Sequence, residues 1–196
     1  VVSTNLCTDQ LAMMLAAEGQ LVSVSFLARD PHSSAMAEAA RSWPVNHGRA
    51  EEIHLLEPDL VLAGRHGNAA TLEMLRRLGI QVETFGLARS LDDVRAHILQ
   101  MGTALGRETE AAALAREFDR RRAALTAEVA RRPDAALYYA NGYTAGAKSL
   151  AGEILLAAGF ENAAAGAGYP HGGRIPLEVL ALAAPEVLIT ARRYPG

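Results

Sequence analysis

Two stretches of this chain carry one pattern. Residues 51–62 read Glu51-Glu52-Ile53-His54-Leu55-Leu56-Glu57-Pro58-Asp59-Leu60-Val61-Leu62, and residues 178–189 read Glu178-Val179-Leu180-Ala181-Leu182-Ala183-Ala184-Pro185-Glu186-Val187-Leu188-Ile189. In each, a Glu opens a short helix seven residues before a Pro, and an acidic residue and an apolar strand follow. A chain that repeats a helix–turn–strand unit on either side of a long intervening segment is constrained to two related halves. The intervening segment, 91–131, is helical in pattern, and no strand interrupts it. Gly102 and Gly106 are expected to break it in two. The second piece, 107–131, places Leu114, Phe118, Leu125 and Val129 on one stripe and would be about 37 Å long. A helix of that length is expected to tie two lobes together, with a long surface helix on a single domain as the alternative.

Strand and helix signals alternate on both sides of it. Val1-Val2 is strand-like; Thr8 is expected to cap a helix bearing Leu11, Met14 and Leu15, stopped by Gly19. Further strands are expected at 21–24, 60–63 and 80–83. Asn68 is expected to cap a helix with Leu72, Leu75 and Leu78 inward and Gly79 as its stop. The second half runs from a strand at 135–139 through a Gly-containing loop, a helix at 149–158 stopped by Gly159, a second Gly-rich loop at 163–174 and a short helix at 176–182. It closes on the strand Val187-Leu188-Ile189. The expected fold is α/β: two Rossmann-like lobes with mostly parallel sheets joined by one long bridging helix. Residues 1–88 form the N-terminal lobe, 89–133 the helical linker with its backbone helix, and 134–196 the C-terminal lobe, expected to be incomplete in this chain.

Composition narrows the function. A net charge of -3 gives no reason to expect a nucleic-acid partner, and the single Cys7 excludes an intrachain disulfide. No apolar run is long enough to span a bilayer, and no leader peptide is in view. The first strand is followed by Ser3-Thr4-Asn5-Leu6-Cys7-Thr8, without the glycines of a dinucleotide fingerprint, and neither a phosphate-binding loop nor a nucleophile elbow occurs. Glu51 and Glu178 complement the positive end of their own short helices. Their matched placement also suits two carboxylates docking onto paired basic sites of a partner.

The chain resembles the periplasmic substrate-binding proteins of ABC importers for cobalamin, ferric siderophores and haem. The resemblance rests on Val1-Val2-Ser3-Thr4-Asn5 leading into a helix, on residues 50–61, on Leu78-Gly79-Ile80-Gln81-Val82, and on the second Glu-to-Pro segment. It implies a non-enzymatic periplasmic protein, expected to be monomeric and without an intrinsic cofactor. Such a protein captures a metal chelate in an interlobe cleft and delivers it to an inner-membrane permease. Glu51 and Glu178 stand where the family pairs a glutamate of each lobe with permease arginines.

In open α/β sheets a ligand lies beyond the C-terminal strand ends. That rule selects Phe26, Trp43, His47, Arg65 and His66 in the first half, and Tyr143, Tyr169, His171 and Arg174 in the second. His47, His66 and His171 are candidate axial ligands for a chelated iron or cobalt. Arg65 and Arg174 suit ligand carboxylates or phosphate, and the aromatics suit a flat macrocycle. The competing reading makes the histidines plain surface residues and the aromatics half-buried loop anchors. Cys7 is expected to be a buried structural thiol, or a thiolate favoured by the adjacent helix N-terminus. The alternatives for the whole chain are a Rossmann-like enzyme, or a metal-ion-binding or interaction protein that takes no chelate.

Overall fold

Val2 and Ser3 make β1 (Val2–Ser3), both wholly buried, and the chain leaves it through Asn5 into α1 (Leu6–Leu15). Asn5, not Thr8, caps α1: its backbone is extended, and its side chain accepts the Cys7 N–H at 3.0 Å. Thr8 lies inside the helix, where its hydroxyl donates to the Asn5 carbonyl at 2.9 Å and meets Ser3 Oγ at 2.8 Å. The helix ends at Ala16, before Gly19.

β2 (Val24–Ser25) and β3 (Val45–Asn46) follow, then α2 (Ala50–His54), β4 (Leu60–Gly64), α3 (Ala69–Arg77) and β5 (Gln81–Phe85). β4 lies parallel between β1 and β5, β2 pairs parallel with β3, and a parallel bridge from Val2 to Ser23 joins the two groups. The lateral order is therefore β3-β2-β1-β4-β5. β4 reads as a continuous apolar run because both its faces are covered. Ile53 of α2 and Leu75 of α3 pack with Val2 and Val61. Asn68 caps α3 by accepting the Thr71 N–H, and Gly79 takes a φ of 82° just past the helix. Leu72 and Leu75 are buried as expected; Leu78 is exposed because α3 has already ended at Arg77.

The helical stretch departs from expectation at one glycine. α4 (Leu91–Leu105) runs straight through Gly102 and stops at Gly106, whose φ is 66°. Gly102 is a packing residue: a Cβ there would stand 2.2 Å from the Ala111 Cβ of α5 (Glu108–Leu125). The small side chains, not the large ones, form the buried line of α5. Ala111 and Ala115 are buried, Leu114 and Phe118 half-buried, Leu125 exposed, and Val129 is exposed and outside the helix. With 18 residues, α5 is about 27 Å long.

β6 (Asp134–Tyr139) alternates, sending Ala135 and Leu137 toward Ala145 and Leu155, and Ala136 toward Ala163, Ile175 and Leu180. After it come β7 (Tyr143–Thr144), α6 (Leu150–Ala157), β8 (Glu161–Asn162), α7 (Ala163–Gly166), β9 (Gly173–Arg174), α8 (Leu177–Ala183) and β10 (Val187–Thr190). β10 and β8 pair with β6 in parallel, whereas β7 turns back antiparallel on β6 and β9 antiparallel on β7. These two-residue strands sit in the Gly-containing loops, too short to leave a periodic signal.

This computed structural model describes residues 1–125 and 129–190; positions 126–128 of the expected long helix lie outside them. The chain divides into two units, Val1–Leu87 with Ala96–Ala115, and Ala88–Arg95 with the described residues from Arg116 onward. α4 and α5 each contribute to both.

Candidate ligand-binding site

In the first unit, the loops after β1, β2, β3 and β4 all leave the same edge of a parallel layer. That edge carries Asn5, Phe26, His47, Arg65 and His66. Asn46, wholly buried, sets the position of His47. Its amide nitrogen lies 2.9 Å from the Ser3 carbonyl, 2.9 Å from Ser23 Oγ and 3.0 Å from the Val24 carbonyl, so one side chain locks three strands together. Its Oδ1 accepts the Gly48 N–H.

His47 then meets two groups. Its ring stacks on Phe26, with centroids 5.4 Å apart and planes 18° from parallel. The Glu52 carboxylate accepts the His47 backbone N–H at 2.8 Å and lies 3.2 Å from Nδ1. The backbone donor, with the ring contact adding to it, holds the Glu52 carboxyl below its ordinary value. A cavity of about 190 Å³ opens beside His47, lined also by Thr4, Asn5, Asn68 and Thr71. Arg65 and His66 are exposed at the end of β4, where the Arg65 N–H donates to the Phe85 carbonyl at 2.7 Å.

Supports under this edge were not visible in the sequence. Arg29 reaches the carbonyls of Ala40, Arg41 and Trp43, and so fastens the turn carrying Phe26 to the one carrying half-buried Trp43. Asp9 holds Ser25, the residue before Phe26, accepting its N–H at 3.0 Å and its hydroxyl at 2.5 Å. Burial pushes the Asp9 carboxyl above its ordinary 3.8, against the opposing pull of those hydrogen bonds. A raised carboxyl means that the folded chain binds the proton more tightly than the unfolded one. Asp9 therefore favours folding at low pH, and this contribution is lost as pH rises above 3.8 through the folded value. Asp9→Asn, which keeps an acceptor for Ser25, is expected to change stability least at low pH and to gain relative to wild type as pH rises toward neutrality. Paired denaturation curves from pH 4 to 7 measure this; parallel pH profiles would refute it. Cys7 is exposed, not the buried thiol expected. Crowding around the sulfur and then the charge of Asp9 push its thiol up, so it is not an activated thiolate.

In the second unit, Tyr143 on β7 and Arg174 on β9 are directly paired across the antiparallel ladder, and Tyr143 is 48 % exposed. Tyr169 is partly buried against Ala136, Ala163, Ile175 and Leu180, which makes it an anchor for its loop. His171 is exposed on the turn between them. The loops themselves are clasped backbone to backbone: the Lys148 N–H donates to the Pro170 carbonyl at 2.7 Å, and Gly146 packs against Tyr169 and Pro170. A concavity of about 770 Å³ in this unit is lined by Asp134 and Glu161 at the N-terminal strand ends and reaches Ala147 in the first of these loops.

The repeat seen in the sequence is also a repeat of geometry. Ile53 of α2 and Leu180 of α8 are both buried, while Glu51 and Glu178 are exposed and make no ion pair among the described residues. One turn beyond each, Leu55 is 82 % exposed and Leu182 is 86 % exposed. The residues before the two prolines, Glu57 and Ala184, hold left-handed backbones with φ of 46° and 45°.

A parallel α/β layer with aromatic, imidazole and guanidinium groups at its C-terminal edge has the construction of a small-molecule-binding domain. The chain belongs to the periplasmic binding protein family, which it matches over residues 1–194. A cobalamin-binding protein of Halobacterium salinarum is 34% identical over 148 residues, 71% of this chain; the chain spans 39% of that relative's length. The periplasmic heme-binding protein RhuT from Roseiflexus sp. RS-1, in apo form, is 27% identical with a TM-score of 0.79, covering 96% of this chain and 74% of that one. The periplasmic heme-binding protein HutB of Vibrio cholerae shares the fold at a TM-score of 0.82 and 22% identity, covering 98% of this chain and 76% of that one. Among the described residues no helix is long and apolar enough to cross a membrane.

Proposed function

We propose that this chain is the capturing component of an ABC importer, working in the periplasm as a monomer rather than as an enzyme, and that its cargo is a metal chelate. An iron porphyrin of the haem type is the first choice. The observation that carries this reading is the His47 ring, stacked on Phe26 and held at Nδ1, beside a polar cavity at the ligand-binding edge. An imidazole is a good donor to an iron with a free axial position. Phe26 offers aromatic surface to a flat ring and Arg65 suits its carboxylates; in the second unit Tyr143 and Arg174 have the same chemistry. His47 supplies the axial donor; the rings of His66 and His171 have no orienting hydrogen-bond partner among the described residues. The haem-binding names of the similar solved structures support the same choice. Cobalamin is the second reading, favoured by the relative from Halobacterium salinarum. Ferric siderophores complete the class, and no cofactor is intrinsic to the chain. Glu51 and Glu178 dock the two units onto arginines of the inner-membrane permease.

The test is a titration of the full-length protein with haemin, cobalamin and several ferric siderophores, followed by Trp43 fluorescence with inner-filter controls and by calorimetry. Saturable quenching by haemin at a micromolar or lower Kd is expected. Saturation by cobalamin alone would move the second reading to the front, and a flat response to every compound would discard the chelate.

A further inference from the structure

We infer that Glu52 is the positioning residue for the metal-binding nitrogen of His47; the inference rests on the chelate reading above. Glu51 and Glu52 are neighbours in the first turn of α2, and their surroundings separate them. Glu51 is exposed, whereas Glu52 turns back to His47 and holds it at two points, the backbone N–H at 2.8 Å and ring Nδ1 at 3.2 Å. The residues on either side of His47 are pinned to each other by the hydrogen bond from the Gly48 N–H to Asn46 Oδ1. Phe26 fixes the plane of the ring. What remains adjustable is the location of the ring proton.

A carboxylate facing Nδ1 settles that. It accepts a hydrogen bond and has none to give, so the neutral ring keeps its proton on Nδ1 and leaves the Nε2 lone pair free. A carboxylate behind a metal-binding imidazole also raises its basicity and fixes its direction. Neither His66 nor His171 has a hydrogen bond from its ring to a described residue, so His47 alone of the three candidates has its tautomer and plane set before cargo arrives. Glu52 thus decides which nitrogen meets the metal, without touching the cargo.

The test uses the full-length protein, haemin as probe, and the variants Glu52→Ala, Glu52→Gln and His47→Ala. Nitrogen chemical shifts of the His47 ring in the haemin-free protein report the tautomer. The wild type is expected to be protonated at Nδ1, and Glu52→Ala to shift toward Nε2 protonation. Glu52→Ala is expected to weaken haemin binding by about 10- to 100-fold. Glu52→Gln keeps one carbonyl acceptor for two donors and is expected to fall between, which keeps the test decisive if the alanine variant folds poorly. His47→Ala is expected to abolish the nitrogen-ligand signature in the electron paramagnetic resonance spectrum of bound ferric haem. Glu52 variants with the wild-type tautomer and wild-type affinity would overturn the inference. So would wild-type haem coordination in His47→Ala, with the binding function left intact. A wild-type protein that fails to bind haemin at all would overturn the haem reading, and the inference with it.

Discussion

Gly146→Ala is expected to lower the melting temperature of the full-length protein by about 10 °C, the equivalent of roughly 3 kcal/mol for a chain of this size. A Cβ at this position would stand 2.0 Å from the Tyr169 carbonyl oxygen and 2.4 Å from the Pro170 carbonyl carbon. Those obstacles are backbone atoms and cannot rotate aside. The same loop is hemmed from its other face, since a Cβ on Gly152 of α6 would meet the Gly146 carbonyl oxygen at 2.0 Å. To admit one methyl group, the loop before α6 and the loop carrying Tyr169 and His171 must part, breaking the hydrogen bond from Lys148 to Pro170. Gly166 is the matched control. It ends α7 with nothing within 4 Å of the place a methyl group would take, so Gly166→Ala is expected to be neutral or stabilising by up to about 1 kcal/mol. Calorimetric scans of both variants decide it; an unchanged melting temperature for Gly146→Ala would mean that the two loops are not clasped in this way.

The same glycine shows where the sequence stops being legible. The strands at β4 and β6, the helix stops at Gly79 and Gly159, and the Asn68 cap can be read because each is a local rule, set by a residue's own backbone preference or by the period of its neighbours. The repeat can be read because its spacing recurs within one chain. Gly102 reads as a helix breaker, wrongly, for the converse reason: its value lies in Ala111 of another helix, and only the close approach of α4 and α5 separates a packing glycine from a breaking one. The candidate site divides in the same way. The strand-end rule locates Phe26 and His47, Tyr143 and Arg174, because it needs only strand order and direction. It does not reveal Asn46, which joins three strands, or Glu52, which reaches back five residues through a turn. Arg29 and Asp9 also escape it, since their partners lie 11 to 16 positions away. Side chains that orient other side chains carry no periodic signal.

Removing the two carboxylates proposed to dock on a permease, Glu51→Ala with Glu178→Ala, is expected to reduce ATP-driven uptake by on the order of 100-fold when the full-length protein and the proposed permease are assayed together in vesicles. Each lost pair at such an interface costs about tenfold in docking, and the two positions belong to separate units and so act independently. Either single variant is expected to retain about a tenth of the uptake, and ligand affinity is expected to stay unchanged in all three. The two glutamates have no ion-pair partner to lose within the described residues, so a folding defect does not account for such a result. The leucine beside each sharpens the expectation: a side chain 82 or 86 % exposed gains nothing for the isolated chain, and its appearance at the same place in both copies is what a surface made to be covered would show. On the proposed docking, uptake should also fall with ionic strength in the wild type and lose that dependence in the double variant, since attraction between exposed charges is screened by salt. Normal uptake by the double variant would sink the docking assignment and leave the binding site untouched; lost uptake together with lost ligand affinity would place Glu51 and Glu178 in the fold instead of at the interface.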